Sequence, residues 1–224
     1  MVETTPRADA QARRVEEIKQ AAKRPYWKSK RVMDFLISLL LIILCCPLFL
    51  LISLLIFLDD PRGSPLYSQT RLGLHEKPFT MYKFRSMTVD AESRQRELME
   101  LNEMDGPVFK IQNDPRITRI GRFLRRTSLD ELPQFFNVLK GDMSLIGPRP
   151  PLPQEVAAYT EYDKLRLIVK PGLSCKWQIR SDRNHTAFSQ WVEDDVDYIL
   201  HASLWTDIKL FLRTPLAMLR GEGC

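Results

Sequence analysis

Two adjacent carboxylates, Asp130 and Glu131, directly follow a row of arginines in this 224-residue chain. The row consists of Arg116, Arg119, Arg122, Arg125 and Arg126. Nearby guanidinium groups favour the ionised form of a carboxylate. A carboxylate pair in this setting can hold a divalent cation that bridges phosphates, or it can attack phosphorus as a nucleophile. The alternative is a capped helix with surface salt bridges, and the pair alone does not decide between them.

The residues around the pair are typical of a helix start. Ser128 and Glu131 could form a capping box, or Asp130 could be the cap. Pro133 fits the second version, because the amide that proline lacks would then be one of the first four unpaired ones. The cap therefore stays open between Ser128 and Asp130. In both versions the carboxylates lie at the positive end of a helix, so we expect Asp130 to be ionised.

A second stretch suited to phosphate chemistry follows at residues 140–150. It is a loop rich in glycine and proline, and it ends with Arg149 between Pro148 and Pro150. Stiff backbone on both sides would fix the guanidinium group for bidentate recognition of a phosphate. An ordinary turn is the alternative.

A long apolar segment is the first element that must position these groups. Phe35 to Leu58 contains 24 residues without a charge, enough at about 1.5 Å per residue to cross a hydrocarbon core of about 30 Å. Pro47, near its middle, should kink or break a helix. Basic residues flank the segment on both sides, and basic flanks mark the cytoplasmic side of a membrane. The residues leave two geometries open, a re-entrant hairpin and a kinked span.

The distribution of charge separates the classes of partner. The chain has a formal net charge of +5, and residues 1–34 alone carry +4, beside the apolar segment. A nucleic-acid-binding domain would spread its basic surface over the folded body, so this distribution argues against nucleic acid and favours an anionic membrane surface. The four cysteines and three histidines show no metal-ligand spacing, which predicts a reducing compartment without disulfides or zinc.

The remaining pattern predicts one α-rich α+β domain. Residues 1–27 are polar and predict a frayed surface helix without a core of its own, while residues 66–68 and 79–84 are strand-like. Further helices are predicted over Asp90–Met104, Leu152–Ile168, Trp191–His201 and Leu204–Leu219. The last of these is amphipathic and suits either a membrane interface or the core.

Three motifs resemble the signature of one protein family. They are Asp130-Glu131-Leu132-Pro133-Gln134, Asn137-Val138-Leu139-Lys140-Gly141-Asp142-Met143-Ser144 and Gly147-Pro148-Arg149-Pro150. The match extends outward through Arg71-Leu72-Gly73, Tyr82-Lys83-Phe84-Arg85-Ser86-Met87 and Lys170-Pro171-Gly172-Leu173. The family is that of the bacterial sugar transferases, the monotopic polyprenyl-phosphate phosphoglycosyl transferases. The resemblance covers about residues 28–220.

The resemblance implies a fold, a location and a reaction. Residues 1–27 would be an N-terminal extension, 28–60 a re-entrant membrane hairpin broken at Pro47, and 61–224 a small catalytic domain with amphipathic interfacial helices. This domain would lie on the cytoplasmic face of the bacterial inner membrane. The enzyme would move a sugar-1-phosphate from a nucleotide sugar, usually uridine-linked, to polyprenyl (undecaprenyl) phosphate through a phospho-aspartate. That transfer is the first membrane step in assembling a surface glycan, and its cofactor is Mg²⁺.

The resemblance also assigns residues. The family's Asp-Glu dyad matches Asp130 and Glu131, with Asp130 as the nucleophile and both side chains as magnesium ligands. Its phosphate-contacting basic residues match Lys83, Arg125, Arg149 and Arg183, and a supporting acidic position matches Asp142. The chain departs from the family pattern at Cys46, where many members have serine, and by one extra residue before Arg183.

Two rival functions are a glycosyltransferase that moves the sugar alone and a non-catalytic membrane scaffold. Asp195-Val196-Asp197 superficially resembles the acidic metal motif of a glycosyltransferase that moves the sugar alone, but its neighbours predict an amphipathic helix. A non-catalytic membrane scaffold would not need Lys83, the dyad and Arg149 together. The sequence names neither the sugar nor the oligomeric state, and a homo-oligomer stays open.

Overall fold

A computed structural model describes residues 6–94, 97–98, 111, 114–180 and 186–219. The described helices are α1 (Pro6–Ala21), α2 (Tyr26–Asp59), α3 (Arg119–Arg126), α4 (Gln134–Lys140), α5 (Pro153–Val156), α6 (Phe188–His201) and α7 (Leu204–Leu219). The described strands are β1 (Leu66–Leu72), β2 (Pro78–Phe84), β3 (Ser144–Ile146) and β4 (Gly172–Ser174). The helix-rich α+β class predicted from the sequence is confirmed.

The strands form two small sheets. β1 and β2 pair antiparallel, with Tyr67 opposite Lys83, whereas β3 and β4 pair parallel, with Ser144 opposite Gly172. The β-hairpin formed by β1 and β2 confirms the strand-like residues predicted at 66–68 and 79–84. Directly paired residues and residues two apart share a face of a sheet, so Arg71 and Lys83 lie on the same face of the hairpin.

One helix in the described part of the chain, α2, is long and apolar enough to cross a membrane. Its helical backbone continues through Pro47, where the sequence predicts a kink or a break. Proline removes one ladder donor and crowds the preceding turn, and a helix can absorb that with a local kink instead of ending. Many of the large apolar side chains of α2 are exposed, among them Leu44, Leu50 and Leu58.

Both halves of α2 also contact the folded domain. In the first half, Ile37, Leu41 and Ile42 pack against a core cluster formed by Met81, Phe135, Val138, Met143 and Leu145. In the second half, Ile52 and Ile56 are buried with Phe84 and Leu124. Near the N-terminal end, Arg31 donates to the backbone oxygens of Val138 at 2.5 Å and Leu139 at 2.8 Å, at the C-terminal end of α4.

The N-terminal helix α1 packs against the domain, although the sequence predicts a frayed helix without a core of its own. Ile18 is fully buried, and it shares a core cluster with Val192, Val196 and Ile199 of α6. Arg24, just after α1, donates to the backbone oxygens of Ile199 and Leu200 at the C-terminal end of α6. The helix therefore docks through its apolar side chains, because α6 supplies most of the core against which Ile18 packs.

The other helix predictions have mixed outcomes. The helices predicted at Trp191–His201 and Leu204–Leu219 are confirmed as α6 and α7. Only α5 and a 3-10 helix, Asp163–Ile168, form within the single helix predicted for Leu152–Ile168. In Asp90–Met104, residues 90–94 form turns and the start of a 3-10 turn, and residues 101–104 lie outside the described residues.

Candidate active site

The dyad lies in a 3-10 turn, Leu129–Glu131, between α3 and α4. Ser128, before the turn, has φ 54°, the left-handed conformation that non-glycine residues adopt only when surrounding structure holds them there. Neither Ser128 nor Asp130 caps α4, because Pro133 occupies that position and no side chain bonds to the first amides. Both caps proposed from the sequence are therefore wrong, and the tight turn positions the carboxylates instead.

Lys83 connects the β-hairpin of β1 and β2 to the dyad. Its Nζ donates to Oε1 of Glu131 at 2.7 Å and lies 4.0 Å from Oδ2 of Asp130. Asn137 fixes this arrangement from α4, since its side-chain amide donates to Thr80 O at 2.7 Å and accepts from Tyr82 N at 3.0 Å. The strand that carries Lys83 is thereby tied to the helix that follows the dyad.

The pKa of Asp130 is raised from its usual value to about 6. Burial is the largest cause, and the charge of Glu131 adds to it, while the charges of Lys83 and Arg125 oppose the rise. The sequence predicts instead that the arginines and a helix end favour the ionised carboxylate, which would lower the pKa of Asp130. The net shift of the pKa is nevertheless upward, because burial outweighs the nearby cations. At neutral pH a group with a pKa of about 6 is still mostly ionised.

Arg149 is held on two sides. Its Nη1 lies 3.4 Å from Oε2 and 3.5 Å from Oε1 of Glu155, and its guanidinium group lies 5.9 Å from the ring centroid of Trp191. Trp191 is itself stacked on Trp177, with centroids 4.1 Å apart. Glu155 is 1% exposed and also accepts from Leu152 N. The guanidinium group between two prolines thus has a fixed orientation.

Arg71 is a cation of this region that the sequence analysis did not assign to the site. It donates to Pro150 O at 3.1 Å, directly after Arg149, and its Nε is buried without a partner in the described part of the chain. Burial, followed by the charge of Arg149, lowers the pKa of Arg71 to about 10. The carboxylates of Glu155 and Glu131 partly offset this. The available signal was the Arg-Leu-Gly motif at the end of a strand.

The other predicted site residues differ in position. Arg125, on α3, is close enough for its charge to act on Asp130. Asp142 follows the C-terminal end of α4, where it accepts from the side-chain amide of Asn137 at 3.3 Å. It is thus at the opposite end of α4 from the dyad. Arg183 lies outside the described residues.

The acidic pair of the rival glycosyltransferase motif has structural partners. Asp195 forms an ion pair with Arg166 in which both side chains are 1% exposed. Asp197 pairs with Lys176 at 2.6 Å. No cluster of three or more potential metal ligands occurs among the described residues. The motif therefore belongs to the packing of α6, which removes the feature on which the rival depended.

The dyad itself is a suitable donor set for Mg²⁺. This ion is usually bound through one or two carboxylates, with water and substrate phosphate oxygens completing the octahedron. Asp130 and Glu131 supply two hard oxygen ligands, and Glu131 keeps partial access to solvent. The cations around them suit the other charges of a bound diphosphate.

Comparison with known proteins identifies the family of this chain. The model of the bacterial sugar transferase family matches residues 25–221, and the chain belongs to that family. It is 45% identical over 195 residues to "Galactosyl transferase CpsE" of Streptococcus agalactiae, covering 87% of this chain and 43% of that protein. It is 40% identical over 209 residues to "Undecaprenyl-phosphate galactose phosphotransferase" of Salmonella typhimurium, covering 90% and 43%.

A third relative names both the donor and the acceptor. The chain is 41% identical over 196 residues to "UDP-glucose:undecaprenyl-phosphate glucose-1-phosphate transferase" of Escherichia coli, covering 83% of this chain and 39% of that protein. The chain thus spans less than half the length of these three relatives. The matched part contains α2, the dyad and the cations of the candidate site, Arg71, Lys83, Arg125 and Arg149.

Proposed function

We propose that this protein transfers a hexose-1-phosphate from a UDP-sugar to undecaprenyl phosphate, the first membrane step in assembling a surface glycan or exopolysaccharide. The observation that carries the proposal is the buried carboxylate of Asp130 beside Glu131 and Lys83, in a family with relatives named as undecaprenyl-phosphate sugar phosphotransferases. The names of the Salmonella and Escherichia coli relatives differ in the sugar, so galactose and glucose are both candidates.

The proposed chemistry has two balanced steps. In the first, a carboxylate oxygen of Asp130 forms a bond to the sugar-bearing phosphorus, and the bond to the bridging oxygen breaks to release uridine monophosphate. In the second, a phosphate oxygen of undecaprenyl phosphate bonds to the same phosphorus, and Asp130 leaves as a free carboxylate. Neither step needs a general base, because both nucleophiles are already anions.

The surrounding residues stabilise charge rather than move protons. Asp130 and Glu131 are the residues that would hold Mg²⁺, which supplies neutralisation of the phosphate oxygens when bound. Lys83 orients Glu131, and Arg125, Arg149 and Arg71 provide fixed positive charge around the transferring group. Preorganised cations of this kind account for most of the barrier lowering in phosphoryl transfer.

We also propose that α2 enters the cytoplasmic face of the inner membrane and returns to it. A straight helix across a hydrocarbon core of about 30 Å would place its ends on opposite sides. Here contacts with one small domain occur near both ends, through Arg31 at the first and Ile56 at the second. Pro47 lies between them, where a bend costs least. The exposed apolar face of α7, at Leu204, Trp205, Ile208, Leu212 and Leu216, suits the same membrane surface.

Donor-only mass spectrometry tests the reaction. The purified protein with Mg²⁺ and UDP-glucose or UDP-galactose should gain the mass of one sugar phosphate and release uridine monophosphate, and added undecaprenyl phosphate should discharge it. Asp130→Asn should lose both steps while remaining folded, and Glu131→Gln should slow turnover. The matched control is Asp197→Asn, which removes a carboxylate of the rival motif and should leave both steps intact. Release of nucleotide only when both substrates are present would favour direct transfer without an enzyme adduct.

A further inference from the structure

α3 has an outer face that the proposed catalytic site does not use. Arg119, Arg122, Phe123 and Arg126 are spaced by three, four and seven residues, which places them on one side of a helix. All four are exposed, and the ring of Phe123 is 56% exposed. None of the three arginines forms an ion pair with a carboxylate in the described part of the chain. The face is therefore a compact patch of unneutralised positive charge with an aromatic ring in it.

The inner face of α3 is held tightly in place. A Cβ added at Gly121 would lie 1.9 Å from the backbone oxygen of Ser86, so the helix approaches that chain as closely as only glycine allows. Leu124 is 1% exposed in the cluster that contains Ile52 and Ile56 of α2. Thr118 caps the helix by accepting from Gly121 N at 3.0 Å. The outer face is consequently a fixed surface rather than a mobile one.

The two ends of α3 connect the patch to α2 and to the nucleophile. Near the first end, Ile120 N donates to Asp59, the last residue of α2, at 3.4 Å. Near the second end, Arg125 acts electrostatically on Asp130, and its backbone oxygen accepts from Ser128 N at 3.1 Å. The patch thus extends from the point where α2 ends to the turn that carries Asp130.

We propose that the outer face of α3, formed by Arg119, Arg122, Phe123 and Arg126, is a docking surface for the phosphate of the membrane-embedded acceptor. This inference rests on the proposed function. Its guanidinium groups complement a phosphate, and Phe123 complements the first apolar units of the lipid chain. The neighbouring half of α2 leaves Leu51, Leu55 and Leu58 exposed, which is a suitable apolar surface for the rest of that chain.

The position of the patch favours the lipid acceptor over the nucleotide donor. A water-soluble nucleotide sugar needs no exposed phenylalanine and no proximity to α2. A lipid phosphate needs both, because its chain stays in the bilayer while its head must reach Asp130. Arg126 precedes Asp130 by four residues in the chain, and Arg125 is the neighbouring cation. A phosphate bound at Arg126 would therefore be close to the proposed nucleophile. The patch therefore concentrates the acceptor where the second chemical step takes place.

Steady-state kinetics with the full chain in nanodiscs test the docking surface. The triple variant R119Q/R122Q/R126Q should raise the KM for undecaprenyl phosphate by about tenfold or more, since each basic residue at such a surface contributes measurably to binding a lipid anion. Its KM for the UDP-sugar and its donor-only release of uridine monophosphate should match those of the wild type. The matched control R13Q/K19Q/K23Q removes three exposed positive charges from α1 and its C-terminal flank and should leave all three quantities unchanged.

The lipid composition separates the acceptor from ordinary anionic lipids. In neutral phosphatidylcholine nanodiscs, an increased acceptor KM in the triple variant supports the proposal. An increase that appears only when phosphatidylglycerol is added would overturn it, since the patch would then bind bulk lipid.

Phe123→Ser keeps every charge and should also raise the acceptor KM, so the proposal stays testable if the triple variant unfolds. An unchanged acceptor KM in a variant that turns over would overturn the docking surface, whereas a wild type inactive with every UDP-sugar would overturn the proposed function instead.

Discussion

Asp130 combines two properties that a phosphorus nucleophile needs. Its burial raises its pKa to about 6, and a more basic carboxylate is a stronger nucleophile. Lys83 and Arg125 limit that rise, so the ionised form still predominates at neutral pH. Burial also removes water that would compete for the phosphorus. In the proposed reaction, desolvation and nearby cations would together set the reactivity of Asp130.

Arg149 allows a test of guanidinium geometry against charge. Arg149→Lys keeps the positive charge but loses the planar pair of donors that Glu155 and Trp191 hold in place. We expect a loss of about 1–3 kcal/mol of transition-state stabilisation, or roughly ten- to a hundredfold in kcat/KM. The measurement is the rate of nucleotide release with both substrates. Arg13→Lys, on the exposed side of α1, is the control, and equal rates for lysine and arginine at position 149 would show that charge alone matters.

The structure brings Lys83 and the dyad together, as the sequence predicts, but their environment was not predictable from the sequence. The dyad and Arg149 carry recognisable spacing, and Lys83 does contact both carboxylates. The upward shift in the pKa of Asp130 was not predicted, because burial of a 3-10 turn depends on packing between elements that are distant in the sequence. Arg71 was missed for a related reason, since its closeness to Arg149 arises from a contact with Pro150 far along the chain.

The docking of α1 makes a prediction at the scale of elements. Ile18 is fully buried against α6, so Ile18→Ala should lower the free energy of unfolding by about 2–5 kcal/mol through lost apolar contact and the remaining cavity. Chemical denaturation of the detergent-solubilised protein measures this. Glu17→Ala, at an exposed neighbouring position, should stay within about 0.5 kcal/mol of the wild type. Equal unfolding midpoints for the two variants would mean that α1 does not pack on the domain.

Local side-chain chemistry explains where helix prediction failed. The segment from Leu152 to Ile168 has helical spacing, yet Thr160 and Asp163 bond to each other and to each other's backbone amides. A reciprocal pair of this kind has the form of a capping box, which marks a new helical start after α5 has ended and so divides the predicted helix in two. The comparable pair near α7, Ser203 with Thr206, lies at the start of that helix and does not interrupt it. The predicted extent of α7 agrees with the structure, whereas α6 begins three residues earlier than predicted, at Phe188. At Pro47 the helical backbone continues, so of the kink or break predicted from the sequence the helix does not break.

At the scale of the molecule, α2 both supports the folded domain and, in the proposed arrangement, contacts the membrane. Its inward side chains complete two core clusters, one beneath Met81 and one beneath Phe84, on the strand that carries Lys83. Its outward side chains leave an apolar surface that water would not stabilise. If α2 enters the membrane as proposed, the same helix fixes the position of the dyad relative to the bilayer. Removal of α2 would expose both clusters as well as detach the protein.

The two ends of α2 should lie on the same side of the membrane. Single cysteines are placed at Ala10 and at Ser64, both exposed, in a background in which the four native cysteines are replaced. If α2 returns to the face it entered, a membrane-impermeant maleimide should label both positions in inverted inner-membrane vesicles and neither in intact spheroplasts. The reason is that residues near each end of α2 are buried in the same domain, so moving one end across the bilayer would break those contacts. A variant keeping only Cys46, beside Pro47, should resist the reagent in both preparations, since the bend would lie within the hydrocarbon. Labelling of Ala10→Cys and Ser64→Cys from opposite sides would instead establish a kinked span.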